Sequence, residues 1–141
     1  MRISARNVLK GTVTAVAEGA VNGVVTIDVG GRSVKADITM DAIRDLGLEA
    51  GVPAYAVVKA TNVMFAAGGE KISGLSARNQ LPGVVDSIEK GAVNGHVALK
   101  LADGTVVKGG ITNEAIDELG LAVGEPAVAI VKSTDVMVAV D

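Results

Sequence analysis

Ser4-Ala5-Arg6-Asn7 returns as Ser76-Ala77-Arg78-Asn79, and Gly19-Ala20-Val21-Asn22-Gly23 returns as Gly91-Ala92-Val93-Asn94-Gly95, both at an interval of 72 residues. A slip of one residue at Gly30-Gly31 lengthens the interval to 73. Ile38-Thr39 then meets Ile111-Thr112, Leu46-Gly47-Leu48 meets Leu119-Gly120-Leu121, and Val58-Lys59 meets Val131-Lys132. From Ser4 to Val29, 13 of 26 positions are identical between the copies; from Gly31 to Ala66, 20 of 36 are. Identity at that level makes the chain a tandem duplication. The boundaries that follow are residues 1–67 for the first copy, 68–73 for the linker and 74–141 for the second. The connector is short, Gly-rich and polar, which predicts halves fixed side by side rather than loosely tethered.

Within each copy the pattern is that of strands. Val8 to Val16 and Val21 to Val29 alternate β-branched with polar residues, Arg32 to Ile38 is shorter, and Ala54 to Ala66 is a long Val-rich run. Gly-Ala-Val-Asn-Gly reads as a hairpin turn in which Gly and Asn supply positive φ, and Gly30-Gly31 as a second turn. One segment departs from this pattern. Thr39 to Gly47 has Thr as N-cap, an acid in the first turn and Gly just past the end, and Thr112, Glu114 and Gly120 keep those signals in the second copy. Four or five strands and one short helix per copy predict an all-β protein of two tandem OB-like Greek-key barrels.

Composition narrows the function. Hydrophobic residues make up 49% and charged ones 21%, which places the chain among folded proteins. The longest uncharged run, Ala60 to Gly69, falls well short of the ~18 residues a membrane span needs. The N-terminus shows no apolar signal segment, so a cytoplasmic, membrane-free protein is expected. Without cysteine there are no disulfides, thiolate nucleophiles or zinc–cysteine sites, and a single histidine, His96, leaves little for triad chemistry. His96 replaces Val24 of the first copy and reads as a surface substitution. A net charge of −3 suits phosphate-backbone binding poorly, and Tyr55 and Phe65 are the only aromatics. An OB-type nucleic-acid module would need stacking platforms that are missing here. No acid–base dyad is evident, so no enzyme is expected. Copies this small, with so few aromatics, each need a neighbour to complete a core.

The repeated Ser-x-Arg places a hydroxyl and a fork of cationic donors on one face of an extended strand, and Lys59-x-Thr61 and Lys132-x-Thr134 repeat that spacing. No Asp or Glu lies within three residues of either Ser-x-Arg. Two readings stand side by side: a solvated strand edge with a snorkelling lysine, or an oxyanion site. Thr39 and Thr112 serve as N-caps in one reading and as hydroxyl donors beside an anion in the other. The Gly-Ala-Val-Asn-Gly turns are hairpin turns or nests of backbone N–H groups. Asp41 and Asp45 at i and i+4 read as a solvated helix face, because the second copy does not repeat two aspartates there.

Ser-Ala-Arg-Asn, Gly-Ala-Val-Asn, Ile-Thr before the short helix, and Val57-Val58-Lys59 or Ile130-Val131-Lys132 on the last strand together resemble the Mop domain. The duplicated arrangement resembles the molbindins, cytoplasmic molybdate-binding proteins with two tandem Mop domains. The resemblance covers residues 2–67 and 74–140. It implies storage or buffering of molybdate, and of tungstate, at interfaces in a homotrimer, with no catalytic cofactor. Carried over residue by residue, the principal sites are Ser4, Arg6, Thr39, Lys59 and Ala60 in the first copy. Their counterparts are Ser76, Arg78, Thr112, Lys132 and Ser133. A second, axial class of site maps to Val21, Asn22, Val93 and Asn94. Ala42 and Ala115 stand where some members of the family carry a further Ser.

Overall fold

The computed structural model describes residues 1–141. The alternating segments form strands β1 (Asn7–Ala17), β2 (Asn22–Val29) and β3 (Arg32–Thr39), followed by the short helix α1 (Met40–Asp45), β4 (Pro53–Val58) and β5 (Met64–Ala67). The second copy repeats them as β6 (Asn79–Lys90), β7 (Asn94–Lys100), β8 (Val106–Thr112), α2 (Asn113–Glu118), β9 (Pro126–Val131) and β10 (Met137–Ala139). Thr39 and Thr112 cap the helices by accepting from the N–H groups of Ala42 and Ala115, each at 3.1 Å. Gly47 and Gly120 follow at φ 63°, the left-handed conformation that ends a helix at low cost.

The strands form two five-stranded antiparallel sheets, and neither is built from one copy alone. The first sheet runs β10-β4-β1-β2-β3 and the second β5-β9-β6-β7-β8. Met137 pairs with Val57, and Met64 with Ile130, so each copy lends its last strand to the other. The run Ala54 to Ala66, read from sequence as one strand, is therefore two strands separated by a 3-10 turn at Ala60–Asn62. That turn redirects the chain from one sheet to the other and packs against β8; its counterpart Ser133–Asp135 packs against β3. The sheets thus cross the repeat boundaries, and one continuous core of 27 buried residues draws on both copies.

The only buried polar residues are Asn7 and Asn79. Asn7 donates to the Lys108 carbonyl at 2.8 Å and accepts from the Lys108 N–H at 2.7 Å. Asn79 makes the same pair of bonds with Lys35, at 2.8 and 2.7 Å. Each amide satisfies itself on the backbone of the other copy, clamping β1 to β8 and β6 to β3.

The Gly-Ala-Val-Asn-Gly turns differ from expectation. No non-glycine residue has positive φ, and neither glycine of either turn does. Close approach selects glycine instead: a Cβ at Gly23 would lie 2.7 Å from Ile43 Cδ1 and 2.9 Å from Met40 Sδ. At the other turn, Gly30 and Gly31 do adopt positive φ, 58° and 89°. That turn meets the second copy, where Arg32 pairs with Asp103 at 3.0 Å.

Two predictions follow from these contacts between copies. A Cβ on Gly109 would lie 2.7 Å from Phe65 Cζ, whereas the first copy has Ala36 opposite the smaller Val138 at the equivalent places. Gly109→Ala therefore destabilises by about 1–3 kcal/mol, more than the ~0.4–1 kcal/mol that alanine gains by restricting the unfolded chain. Adding Phe65→Val restores the lost stability, as read by urea denaturation; no recovery would contradict the packing account. The Asp103 carboxyl is held below the usual carboxylate range by the N–H and hydroxyl of Thr105, and less strongly by Arg32. A lowered folded value contributes stability above the ordinary aspartate range, which is lost as pH falls through the folded value. Asp103→Asn should flatten that acid limb in urea midpoints measured from neutral pH down to about pH 3, below the reference aspartate value. An unchanged limb would remove Asp103 from the account.

Candidate functional site

Ser4 and Arg6 lie just before β1 in a bent lead-in rather than on an extended strand. Arg6 turns back on this segment, its Nε donating to the Ser4 carbonyl at 3.1 Å and its Nη2 to Ile3 at 3.3 Å. Lys59 follows the last residue of β4, at the start of the 3-10 turn. The lead-in and the turn face each other across an open groove of about 330 Å³, lined by Ser4, Arg6, Lys59, Ala60 and Thr61, with Ile3 and Ala5 beside them. Met137 from β10 supplies the remaining wall.

The second copy builds the same groove, about 290 Å³, from Leu75, Ser76, Ala77, Lys132, Ser133 and Thr134, with Met64 from β5 as the wall. Arg78 lines an adjoining depression with Lys71 and Gln80 instead. Four of the five principal residues expected from sequence thus meet in the first groove, and three of five in the second. Ala60 offers no side-chain donor where Ser133 offers a hydroxyl, so the grooves differ chemically.

Thr39 and Thr112 lie outside both grooves, at the ends of β3 and β8 opposite Asn22 and Asn94. Their hydroxyl oxygens accept from the helix backbone, which leaves the hydroxyl protons free to donate. Beside them Val21 and Val93 project from the hairpin tips, 75% and 70% exposed, while their carbonyls accept from Met40 and Asn113. Asn22 donates to Asp37 at 3.2 Å. Within a single chain, Thr39 and Thr112 therefore lie with the axial residues and apart from the grooves that hold the other principal residues.

The groove cations form no ion pair, a state they share with most of the other lysines and arginines, so what sets them apart is the hydroxyls beside them. The ion pairs are Arg32 with Asp103, Arg44 with Asp41, and Lys90 with Asp117. Arg6, Arg78, Lys59 and Lys132 take part in none of them. Cations beside hydroxyls without a carboxylate can hold an anion by charge-assisted hydrogen bonds. Asp41 is exposed, as expected of a solvated helix face, and no cluster of three or more potential metal ligands occurs. His96 is exposed and lines a separate depression with Glu89, Lys108 and Arg6. No helix is long and apolar enough to cross a membrane.

Sequence reasoning missed the roles of Asn7 and Asn79, whose repetition in both copies was the available signal. It also passed over Met64 and Met137. They are identical at the 73-residue interval and stay exposed directly after the buried Val63 and Val136, but an apolar residue on a strand gives no reason by itself to suspect a groove wall.

Two interlocked five-stranded sheets thus carry a pair of equivalent grooves in which lysine lies beside hydroxyls. The TOBE domain family model matches residues 3–65 and again 75–138, so the chain belongs to the TOBE-domain family with two tandem copies. It is 41% identical over 140 residues to the molybdenum-pterin-binding protein MopA of Rhodobacter capsulatus, and 40% identical over 141 residues to the molybdenum transport protein ModE of Herbaspirillum seropedicae. In both cases 99% of the chain matches 52% of the relative, so the chain spans about half the length of these curated relatives. The molybdate-bound structure of ModG, a cytoplasmic molybdate-binding protein, superimposes with a TM-score of 0.95 at 46% identity, covering 100% of both chains.

The capping role of the threonines is testable without ligand. Thr39→Ala and Thr112→Ala should each destabilise by about 1 kcal/mol, seen as a lower urea midpoint. Serine at the same positions should restore most of it. Equal loss with serine would show that capping is not what these hydroxyls supply.

Proposed function

We propose that this chain binds molybdate, and tungstate, as a cytoplasmic store or buffer, and does not turn it over. The observation that supports this most directly is the pair of equivalent grooves in which hydroxyls and cations converge without a carboxylate. A tetrahedral dianion needs donors and positive charge but no nucleophile. ModG, similar over its whole length, is a molybdate-binding protein. Thr39 and Thr112 then complete principal sites across an interface with another copy, and the hairpin tips at Val21-Asn22 and Val93-Asn94 approach one another on an axis. A homotrimer fits both requirements and covers the exposed valines. Neither nucleic acid nor a membrane is a partner in this reading.

Titration calorimetry of anion-free protein with molybdate should give more than one site per chain, and no product should form. Sulfate should compete poorly, because donors spaced for a larger anion stand too far from a smaller one. Stoichiometry at or below one, or equal affinity for sulfate, would contradict the reading. Tight binding of single-stranded nucleic acid would favour the OB-module alternative. Native mass should be three times that of the chain, and a monomer by light scattering at micromolar concentration would remove the trimer.

The cations give a sharper test. A hydrogen bond to a charged group contributes roughly 1.5–3 kcal/mol, so Arg6→Ala with Arg78→Ala should weaken binding by about 10- to 150-fold. Lys59→Ala with Lys132→Ala should do the same. Lys100→Ala, at the exposed end of β7, should leave affinity nearly unchanged. If Lys100→Ala weakens binding as much, the attraction is diffuse surface charge.

A further inference from the structure

The strand exchange has a consequence for the grooves. Met137 lines the groove built by Ser4 and Lys59, and Met64 the groove built by Ser76 and Lys132. Each methionine therefore comes from the copy that supplies none of the donors. The pairings Met137 with Val57 and Met64 with Ile130 place the two side chains where the exchanged strands begin. Both are 43–44% exposed, whereas Val63 and Val136, one residue earlier, are 1% exposed. Alternation along the strand sends the valines into the core and the methionines outward to the grooves.

We propose that Met64 and Met137 set oxyanion affinity in trans, each forming the apolar wall of the groove whose donors belong to the other copy. The inference rests on the oxyanion reading of the grooves. An apolar wall excludes water from one side of a bound anion, so the lysine and hydroxyl donors facing it meet less competition and a lower local dielectric. The unbranched, polarisable thioether adjusts its rotamers to a large tetrahedral anion more readily than a branched side chain does. The wall is present only while the strands are exchanged, so each groove is complete only when the two copies are interlocked. Binding at either groove is thereby tied to the exchanged arrangement, and a separated copy carries the donors without the wall.

The test uses the full chain in two backgrounds that each disable one groove, Lys59→Ala for the first and Lys132→Ala for the second. Molybdate affinity is read by calorimetry, with urea midpoints measured in parallel. Met64→Ala should weaken binding about three- to tenfold in the Lys59→Ala background, where only the second groove operates. Met137→Ala should do so in the Lys132→Ala background. The opposite combinations should show distinctly smaller losses. Met64→Leu, which keeps an apolar wall, should recover most of the affinity. The proposal is overturned if the effects follow the copy that carries the methionine, if all four combinations lose affinity equally, or if affinity falls only in step with stability. Failure of the parent chain to bind molybdate would instead overturn the oxyanion reading itself.

Discussion

Everything in this molecule depends on the reciprocal exchange of β5 and β10. A copy of about 70 residues with hardly any aromatic side chains buries too little apolar surface to be secure alone. Lending the last strand to the neighbour solves this by making one core out of two. Val63 and Phe65 from the first copy, and Val136 from the second, are buried in that shared core. The Asn7 and Asn79 clamps act where the exchange alone would leave β1 and β6 unattached to the opposite copy. Their cost is low, because both amides find a donor and an acceptor on backbone that would otherwise lack partners.

The same turn that makes the exchange geometrically feasible also makes the grooves. A 3-10 turn at Ala60–Asn62 takes the chain out of one sheet and into the other. It leaves Lys59 at the strand end, where a continuous strand would have placed it in a ladder. The lysine then faces the Ser-Ala-Arg lead-in of its own copy and a methionine of the other. Folding and the shape of the grooves are thus coupled through a few residues on either side of a single turn. The pseudo-symmetry is imperfect in ways that matter. Arg6 lines its groove and Arg78 an adjoining depression, and Ala60 stands in the first groove where the second has Ser133, so the two grooves are chemically unequal from the outset.

Much of the architecture was legible in the chain because it was written twice. Strand positions, the two capped helices and the glycines at their ends followed from alternation and cap chemistry that reappear at a fixed interval. The exchange was not legible, since Ala54 to Ala66 carries a strand pattern throughout and a 3-10 turn has no strong sequence signature. The turn glycines were assigned to positive φ when close packing by Ile43 and Met40 selects Gly23. Ser4 and Ser76 could be picked out as candidate donors because the Ser-x-Arg unit repeats without an acid within three residues, and Lys59 and Lys132 because the lysine interrupts an apolar run and repeats. Their spatial neighbours Met64 and Met137 could not, because they arrive from the other copy through a topology that spacing does not encode.

Locating the anion directly is the most decisive measurement. Anomalous diffraction at the molybdenum edge, from crystals grown with molybdate, should place metal peaks in both grooves, beside Lys59 and Ser4 and beside Lys132 and Ser76. Peaks confined to other surface cations, with both grooves free of molybdenum, would contradict the account.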